Sequence, residues 1–392
     1  MNNVYKVIWN EVSQTFVAVS ELTQGKSKSV TRQADSIVSG VEQTRAHFFI
    51  KPLIAALICI GFTFATYAAP LARHTTAPLV TQLPSGGQVS AGTATVSQSG
   101  AVMTVNQGSE KAAINWQKFD IGSQATVNFV QPSTSSVFLN RVLDSNPSQI
   151  YGKINSNGSV FLENPNGVYF SPSASVDTGS FLATTAHIND SDFMGGNFVF
   201  SRSGTGSTGG ILNKGVITSR LGGYIALLAP EVRNAGVVIA RGGTIVLAAG
   251  ETYQLQFENN NALTNILVSP STVAAFVKNG NAIEAPGGLV ILSAQAANTI
   301  QGGIVKNTGT ITADGLVNDG GIIKLVASNS VSNTGSISAN AAPQSNGHGG
   351  QVSLISDLNN PNSKTSVDGS ISAKGGEQGG ERRVNRNLRI IC

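Results

Sequence analysis

The sequence predicts an all-β fold: a right-handed parallel β-helix (solenoid) with an N-terminal β cap and flanking extra-helical strands. Three observations carry that prediction. Glycine reaches 44 of 392 residues while charged residues make up only 12%, a composition that disfavours helical bundles. Hydrophobic residues reach 41%, too many for a disordered Gly/Ser chain and well suited to short apolar strands joined by tight turns. Most informative, one motif recurs along the second half of the chain.

The repeat begins at Gly210. "NKGVITSRLGGYIALLAPEV" gives way to "NAGVVIARGGTIVLAAGETY", and "NGNAIEAPGGLVILSAQ", "NTGTITADGLVNDGGIIKLVASN", "NTGSISANAAPQSNGHGGQVSLIS" and "VDGSISAKGGEQGG" follow. The unit is Asn-x-Gly-x-Ile, a small-residue link, a Gly-Gly pair and an alternating apolar strand, with pairs starting at 222, 242, 287, 320, 349 and 379. Asn-x-Gly makes a turn, Gly-Gly allows a sharp corner, and Ile217, Ile239, Ile283, Ile311, Ile337 and Ile371 are expected to fill the interior. Coils stacked at about 4.8 Å would bury one file of side chains and expose the alternate ones. A β-sandwich is the structural rival, but it does not demand the same motif at every turn.

Two irregular regions flank this repeat. Between Glu251 and Glu284, "TYQLQFENNNALTNILVSPSTVAAFVKN" interrupts it and predicts a hairpin or extra strands packed on the solenoid's flank. Residues 80–200 alternate apolar and polar residues without the motif, and are expected to cap the open end of the first coil.

The N-terminal region reads as an export signal with an unusual prefix. Leu53 to Thr66 is uncharged and Lys51 precedes it; the stretch is shorter than the ~20 residues a spanning helix needs. Small residues at Thr66 and Ala68 place cleavage after Ala68, with Ala69 the neighbouring alternative. Ahead of it stands "MNNVYKVIWNEVSQTFVAVSEL". As a helix, this segment puts Val4, Ile8, Val12 and Phe16 on one face beside Tyr5 and Trp9, an arrangement suited to a membrane interface; a disordered leader is the alternative. Lys26, Lys28, Arg32 and Arg45 add positive charge on the cytoplasmic side.

Charge and cysteine content exclude several classes. Net charge is +4, yet Arg382, Arg383, Arg386 and Arg389 crowd the last eleven residues. Without residues 1–68 and 381–392, 15 Lys and Arg face 16 Asp and Glu. Cations so thinly spread argue against a nucleic-acid partner. Cys59 lies in the signal stretch and Cys392 ends the chain, so no disulfide staples the body.

Nor does a catalytic or cofactor site emerge. His74, His187 and His348 are scattered without metal-ligand spacing and read as surface residues. Asp190 and Asp192 are the only close acidic pair, in an expected loop. The calcium-type GGxGxDx repeat is absent, and "SGTGSTGG" at 203–210 has no following helix to make a nucleotide site. No enzyme activity, metal or cofactor is expected; a solenoid carbohydrate enzyme would need a clustered acid/base site.

Two stretches carry a family resemblance. Tyr5, Val7, Ile8, Trp9, Asn10 and Val17 to Glu21 resemble the extended signal-peptide region of very large exported proteins of Gram-negative bacteria. That resemblance implies modified inner-membrane targeting through the Sec machinery, which keeps a long passenger from misfolding in the periplasm. The stretch from Trp116 to Phe170 and onward resembles the secretion domain of filamentous-haemagglutinin-like exoproteins, the TpsA component of two-partner secretion, over residues 80 to about 300. Its best-matched element is Asn164-Pro165-Asn166-Gly167, and an earlier Asn-Pro element corresponds to Asn146-Pro147, although the residues after Pro147 depart from the pattern. Between the apolar runs "SVFLE" and "VYF", Pro165 suits the second position of a turn and Gly167 its exit. Shaping a turn and touching a partner remain open as its role.

The resemblance implies a secreted or cell-surface adhesin-like chain that the periplasmic domains of a TpsB-type outer-membrane transporter recognise, and whose β-helix nucleates outside the cell. A host-cell receptor or carbohydrate is a further implied partner; the alternative is the front of a haemolysin or contact-dependent toxin carrier. The expected organisation is an extended signal region (1–50), signal and cleavage site (51–68), secretion domain (69–300), first repeats of the exoprotein body (301–380) and a basic tail (381–392). In "ERRVNRNLRIIC" the periodicity is lost, which reads as truncation or frame disruption, or else as a native basic terminus.

Overall fold

The structure, a computed structural model, describes residues 5–10, 15–20, 76–202, 209–258, 262–298, 302–376 and 388–391. Within the unit Met1–Thr63, Tyr5–Asn10 and Thr15–Ser20 pair antiparallel, with Trp9 opposite Phe16. The helical reading of this prefix is thereby corrected. Its Tyr, Val, Ile, Trp, Thr and Phe residues are those whose side chains fit a pleated strand.

In the unit Phe64–Cys392 the chain winds through coils of three short strands. Val216–Ser219, Tyr224–Leu228 and Glu231–Asn234 make one coil; Val237–Ala240, Thr244–Ala249 and Phe276–Asn279 make the next. Each strand pairs in parallel with its counterpart one coil on, Ile217 with Val238, Ile225 with Ile245 and Val232 with Val277. Three long sheets result, two of 11 strands and one of 8. In the order the chain visits them we term these the entry, middle and return sheets.

The interior is one continuous apolar file-set running from Leu83 to Leu354. In the entry sheet Ile217, Ile283, Ile311 and Ile337 point inward and are fully buried, as expected. Ile239 does not: it aligns with Thr218 and Glu284 on the outer face, and Val238 takes the inward place. In Asn-Ala-Gly-Val-Val-Ile the second residue after glycine faces in, so counting by residue type misplaces the register by one.

Asparagines dominate the inner corner of the return sheet. Asn213, Asn234, Asn279, Asn307 and Asn333 are fully buried and stacked coil on coil. Each Nδ2 donates to the next Oδ1, at 2.9, 2.8, 2.8 and 2.7 Å. Backbone atoms of the turn use the remaining capacity: Gly215 N donates to Asn213 Oδ1, and Asn279 Nδ2 donates to Asn281 O. A buried amide is tolerated only when its hydrogen bonds are met, and here the stacking meets them.

At the opposite corner, the two glycines of a pair differ. Gly222 and Gly242 hold φ of +77° and +59°, backbone that L side chains adopt at a cost. Gly243 instead lies directly over the carbonyl of Gly223, and a Cβ there would overlap it; Gly288 sits on Gly243, Gly321 on Gly288 and Gly350 on Gly321 in the same way. The pair at 379 lies outside the described residues.

The N-terminal end is closed by antiparallel pairing. Gln88–Ala91 runs against Lys111–Trp116, and Ala94–Ser99 against Val102–Gln107. Parallel coils start immediately afterwards, Val102–Gln107 on Thr126–Val130 and Lys111–Trp116 on Val137–Val142. The cap is therefore shorter than the expected 80–200: residues 126–184 form regular coils that lack the motif and fill their interior with Phe129, Phe138, Phe170 and Phe181.

The middle sheet is apolar on both faces. Leu139, Phe161, Leu182, Ala226 and Val246 point outward and are covered by a second cluster. The cover is the hairpin Thr252–Glu258/Ala262–Val268, joined by Val199–Ser201, and a helix, Asp190–Gly195, that contributes Phe193. The hairpin agrees with the expectation for the 251–284 interruption. The helix replaces the expected loop around Asp190 and Asp192: Asn189 accepts a bond from Asp192 N and both acids stand in the first turn, where a helix favours them.

Gly243→Ala is expected to cost about 3 kcal/mol, because backbone rather than a movable side chain occupies the space. Gly222→Ala, whose added methyl meets open space, should cost roughly 1–2 kcal/mol from left-handed strain alone. Urea midpoints of the two variants check the order.

Candidate functional site

The turn Asn164–Gly167 joins the middle-sheet strand Ser159–Glu163 to the return-sheet strand Val168–Phe170. Asn164 is fully buried. Its Oδ1 accepts from Asn166 N at 2.9 Å, and its backbone O from Gly167 N at 3.0 Å. Gly167 leaves the turn at φ +111°, so Asn164 and Gly167 each have a conformational reason.

The earlier Asn146-Pro147 element lies at the same corner one coil before. Asn164 Nδ2 donates to Asn146 O and Ser148 Oγ, both at 3.0 Å, and Asn166 Nδ2 donates to Asp144 O at 2.8 Å. Asp144 Oδ1 in turn accepts from Asn146 N and Nδ2. The two sequence elements thus form one stacked pair of turns. On the far side Gly209 packs flat against Pro165, Asn166 and Gly167, too close for any Cβ; the spacing of Gly209 from the motif hid this partner from the sequence. Pro165 and Asn166 are half-buried, while Asn146 and Leu143 are exposed.

Glu163, immediately before the turn, is 1% exposed and anchors a charged network that sequence reasoning missed. Arg141 Nε lies 3.2 Å from its Oε1, and His187 Nδ1 lies 2.7 Å from the same atom. Arg141 also reaches Asp190 at 2.8 Å, Asn115 Oδ1 at 3.1 Å and Ile188 O at 2.6 Å. The network clamps the 185–202 excursion onto the middle sheet. His187 is half-exposed at the surface, and its hydrogen bond to Glu163 holds its pKa above the ordinary value, with Asp190 adding to the rise and burial and Arg141 opposing it. His348 is exposed beside Asp319.

A cleft of about 340 Å³ lies along this excursion, lined by His187, Asn189, Asp192, Asn197 and Arg202 among others. Its guanidinium is already engaged, with Arg202 Nε and Nη2 each 3.0 Å from Glu251 oxygens. Among the described residues no three His, Cys, Asp or Glu side chains are placed to hold a metal ion. His74, Ala68 and Ala69 lie outside the described residues.

A β-helix with a closed N-terminal end, an extra-helical hairpin and a stacked Asn-Pro corner defines a parallel solenoid module. Residues 81–339 match the model of the TPS secretion domain, and residues 1–48 that of the extended signal peptide of the type V secretion system. The chain belongs to the TPS secretion domain family and carries the secretion domain of a TpsA-type exoprotein, exported by Sec and secreted through the outer membrane of Gram-negative bacteria.

Two curated relatives, both named heme/hemopexin-binding protein of Haemophilus influenzae, are 32% identical over 253 residues and 29% identical over 260. These matches cover 63% and 61% of this chain but 26% and 27% of theirs, so the chain spans about a quarter of their length. Among solved structures, the HMW1 secretion domain from Haemophilus influenzae superposes with TM-score 0.60 at 26% identity, covering 74% of this chain and 84% of that one. The filamentous hemagglutinin secretion domain gives 0.45 at 15% identity, covering 75% and 98%.

Asn164→Ala removes the amide that ties the two turns together and leaves buried groups unpaired; a loss of about 2–3 kcal/mol is expected in urea unfolding. Asn166→Ala should cost about 1 kcal/mol. A separate outcome concerns pH. Because the folded pKa of His187 is raised, its contribution is complete below the ordinary value of about 6.5 and is lost as pH rises through the folded pKa. Hydrogen exchange at Phe193 should accelerate over that rise, and His187→Gln should flatten the dependence.

Proposed function

We propose that the cap and the stacked Asn-Pro corner are what the transporter's periplasmic domains recognise, and that the module acts without catalysis. The observation that carries this reading is the strand Ala94–Ser99. It ends the entry sheet, pairs only through Val102–Gln107 within that sheet, and is exposed over nearly its whole length. Such an edge is a template for strand addition unless something covers it. The Asn-Pro corner supports the reading from inside: Asn164 shapes the turn, which leaves Pro165, Asn166 and Asn146 as its contact atoms. In this reading the domain bounds are 69–300 for the secretion module and 301–380 for the first repeats of an adhesin-like body, with cleavage after Ala68.

Lysine at Thr95 and Ser97 tests it, since these exposed positions lie opposite Asn106 and Thr104 on the outward face and edge lysines oppose strand pairing. T95K/S97K is expected to accumulate in the periplasm when co-expressed with the partner transporter, with an unchanged urea midpoint. Secretion at the unaltered rate would overturn the reading. A second reading comes from the two curated relatives, whose name suggests haem or hemopexin capture; calorimetric titration of the secreted chain with each ligand tests that.

A further inference from the structure

The outer face of the return sheet gathers cations that the sequence scatters. Arg233, Lys278 and Lys306 occupy one outward column on three consecutive coils, about 4.8 Å apart. Lys364 stands in the neighbouring outward column, paired with Ser330, and Lys214 follows the strand Ile211–Asn213 at the corner. Lys214, Lys306 and Lys364 are exposed and Lys278 is half-exposed. Five of the fifteen body cations thus share one face.

Little opposes them. Glu231 is 2% exposed and bonded to Arg233, and Asp368 stands only at the corner of the last described coil. Among the described residues, no carboxylate lies within ion-pair distance of Lys214, Lys278, Lys306 or Lys364. Two aromatic rings lie beneath the cations: Arg233 sits 5.0 Å from the Phe276 ring centre and Lys214 6.0 Å from that of Tyr169. Such contacts hold the charged heads over the face.

We propose that this face binds a linear sulfated polysaccharide of the glycosaminoglycan class, laid along the solenoid axis. A straight column of cations, rising per coil by about the length of one sugar residue, matches an extended polyanion carrying charge on successive rings. Single-stranded nucleic acid fits less well, because base stacking needs open aromatic faces, whereas Tyr169 is 5% exposed and the Phe276 ring lies under Arg233. A bilayer surface fits less well again. Membrane-surface binding draws on buried apolar area, and no large exposed apolar side chain lies on this face. The proposal requires secretion but not the strand-edge reading of transporter recognition.

The test is retention of the secreted chain on immobilised heparin at 0.15 M salt, beside desulfated heparin and a single-stranded oligonucleotide. K278Q/K306Q, at outward positions with the fold checked by its urea midpoint, is expected to weaken heparin binding about tenfold. K153Q/K374Q, which removes equal charge elsewhere, should change it less than twofold. Three results would overturn the assignment: no heparin retention by the unaltered chain, equal losses in the two doubles, or oligonucleotide binding as tight as heparin and lost in the same double.

Discussion

The spacing of one coil on the next is set where glycine lies over carbonyl. At Gly223, Gly243, Gly288, Gly321 and Gly350 the backbone of each coil rests on that of the coil before, with no room for a side chain. Every other stacking interaction inherits that distance. In the return sheet it brings Asn234 Oδ1 and Asn279 Oδ1 within 2.9 and 2.8 Å of their donors, so five buried amides satisfy one another instead of burdening the core. Val367 aligns with Asn333 on the next coil, and there the amide ladder gives way to an apolar contact.

From that common frame the three sheets diverge in what they present. The entry sheet turns Thr218, Thr310 and Ser336 outward, small polar groups that ask for no cover. The middle sheet turns Phe161, Leu182, Tyr224 and Val246 outward, and these would form an aggregation-prone patch without the hairpin, the short helix and the aromatic contacts between them. Beyond Ile291 its central outward column becomes Lys324 and Ser353, and the cover stops with Ile322 exposed. The buried Glu163 network fastens the first part of this extra-helical layer, at the coils that carry Asn115, Arg141 and Glu163.

Much of this was legible in the residues. The Gly-Gly pairs and Asn-x-Gly turns state the coil, because each answers a local demand of backbone geometry. The interruption at 251–284 announced a hairpin for the same reason. What escaped were relations between coils. Ile239 faces outward because strand parity, not residue type, decides the inward position. Arg141 and His187 lie 22 and 24 residues from Glu163 along the chain yet meet its carboxylate across neighbouring coils. Arg233, Lys278 and Lys306 look isolated along the chain and become one column only when the coils stack. The coils of residues 126–184 hid for another reason: phenylalanines fill their interior without a glycine-marked period.

The first coil is physically unlike those that follow it, and this gives the fold a direction. Antiparallel strands Gln88–Ala91 and Ala94–Ser99 close the first coil, with Trp116, Phe119 and Leu83 packed beneath them. Parallel growth cannot begin from an antiparallel edge without reversing the chain. Each later coil, by contrast, presents its successor with three strands already in register, a carbonyl ready for a glycine and, from Asn213 to Asn307, an amide awaiting its acceptor. Forming the first coil requires long-range closure with no template, whereas each subsequent coil adds against a finished surface. A chain emerging through an outer-membrane pore therefore gains stabilisation at every coil added outside, and little by sliding back.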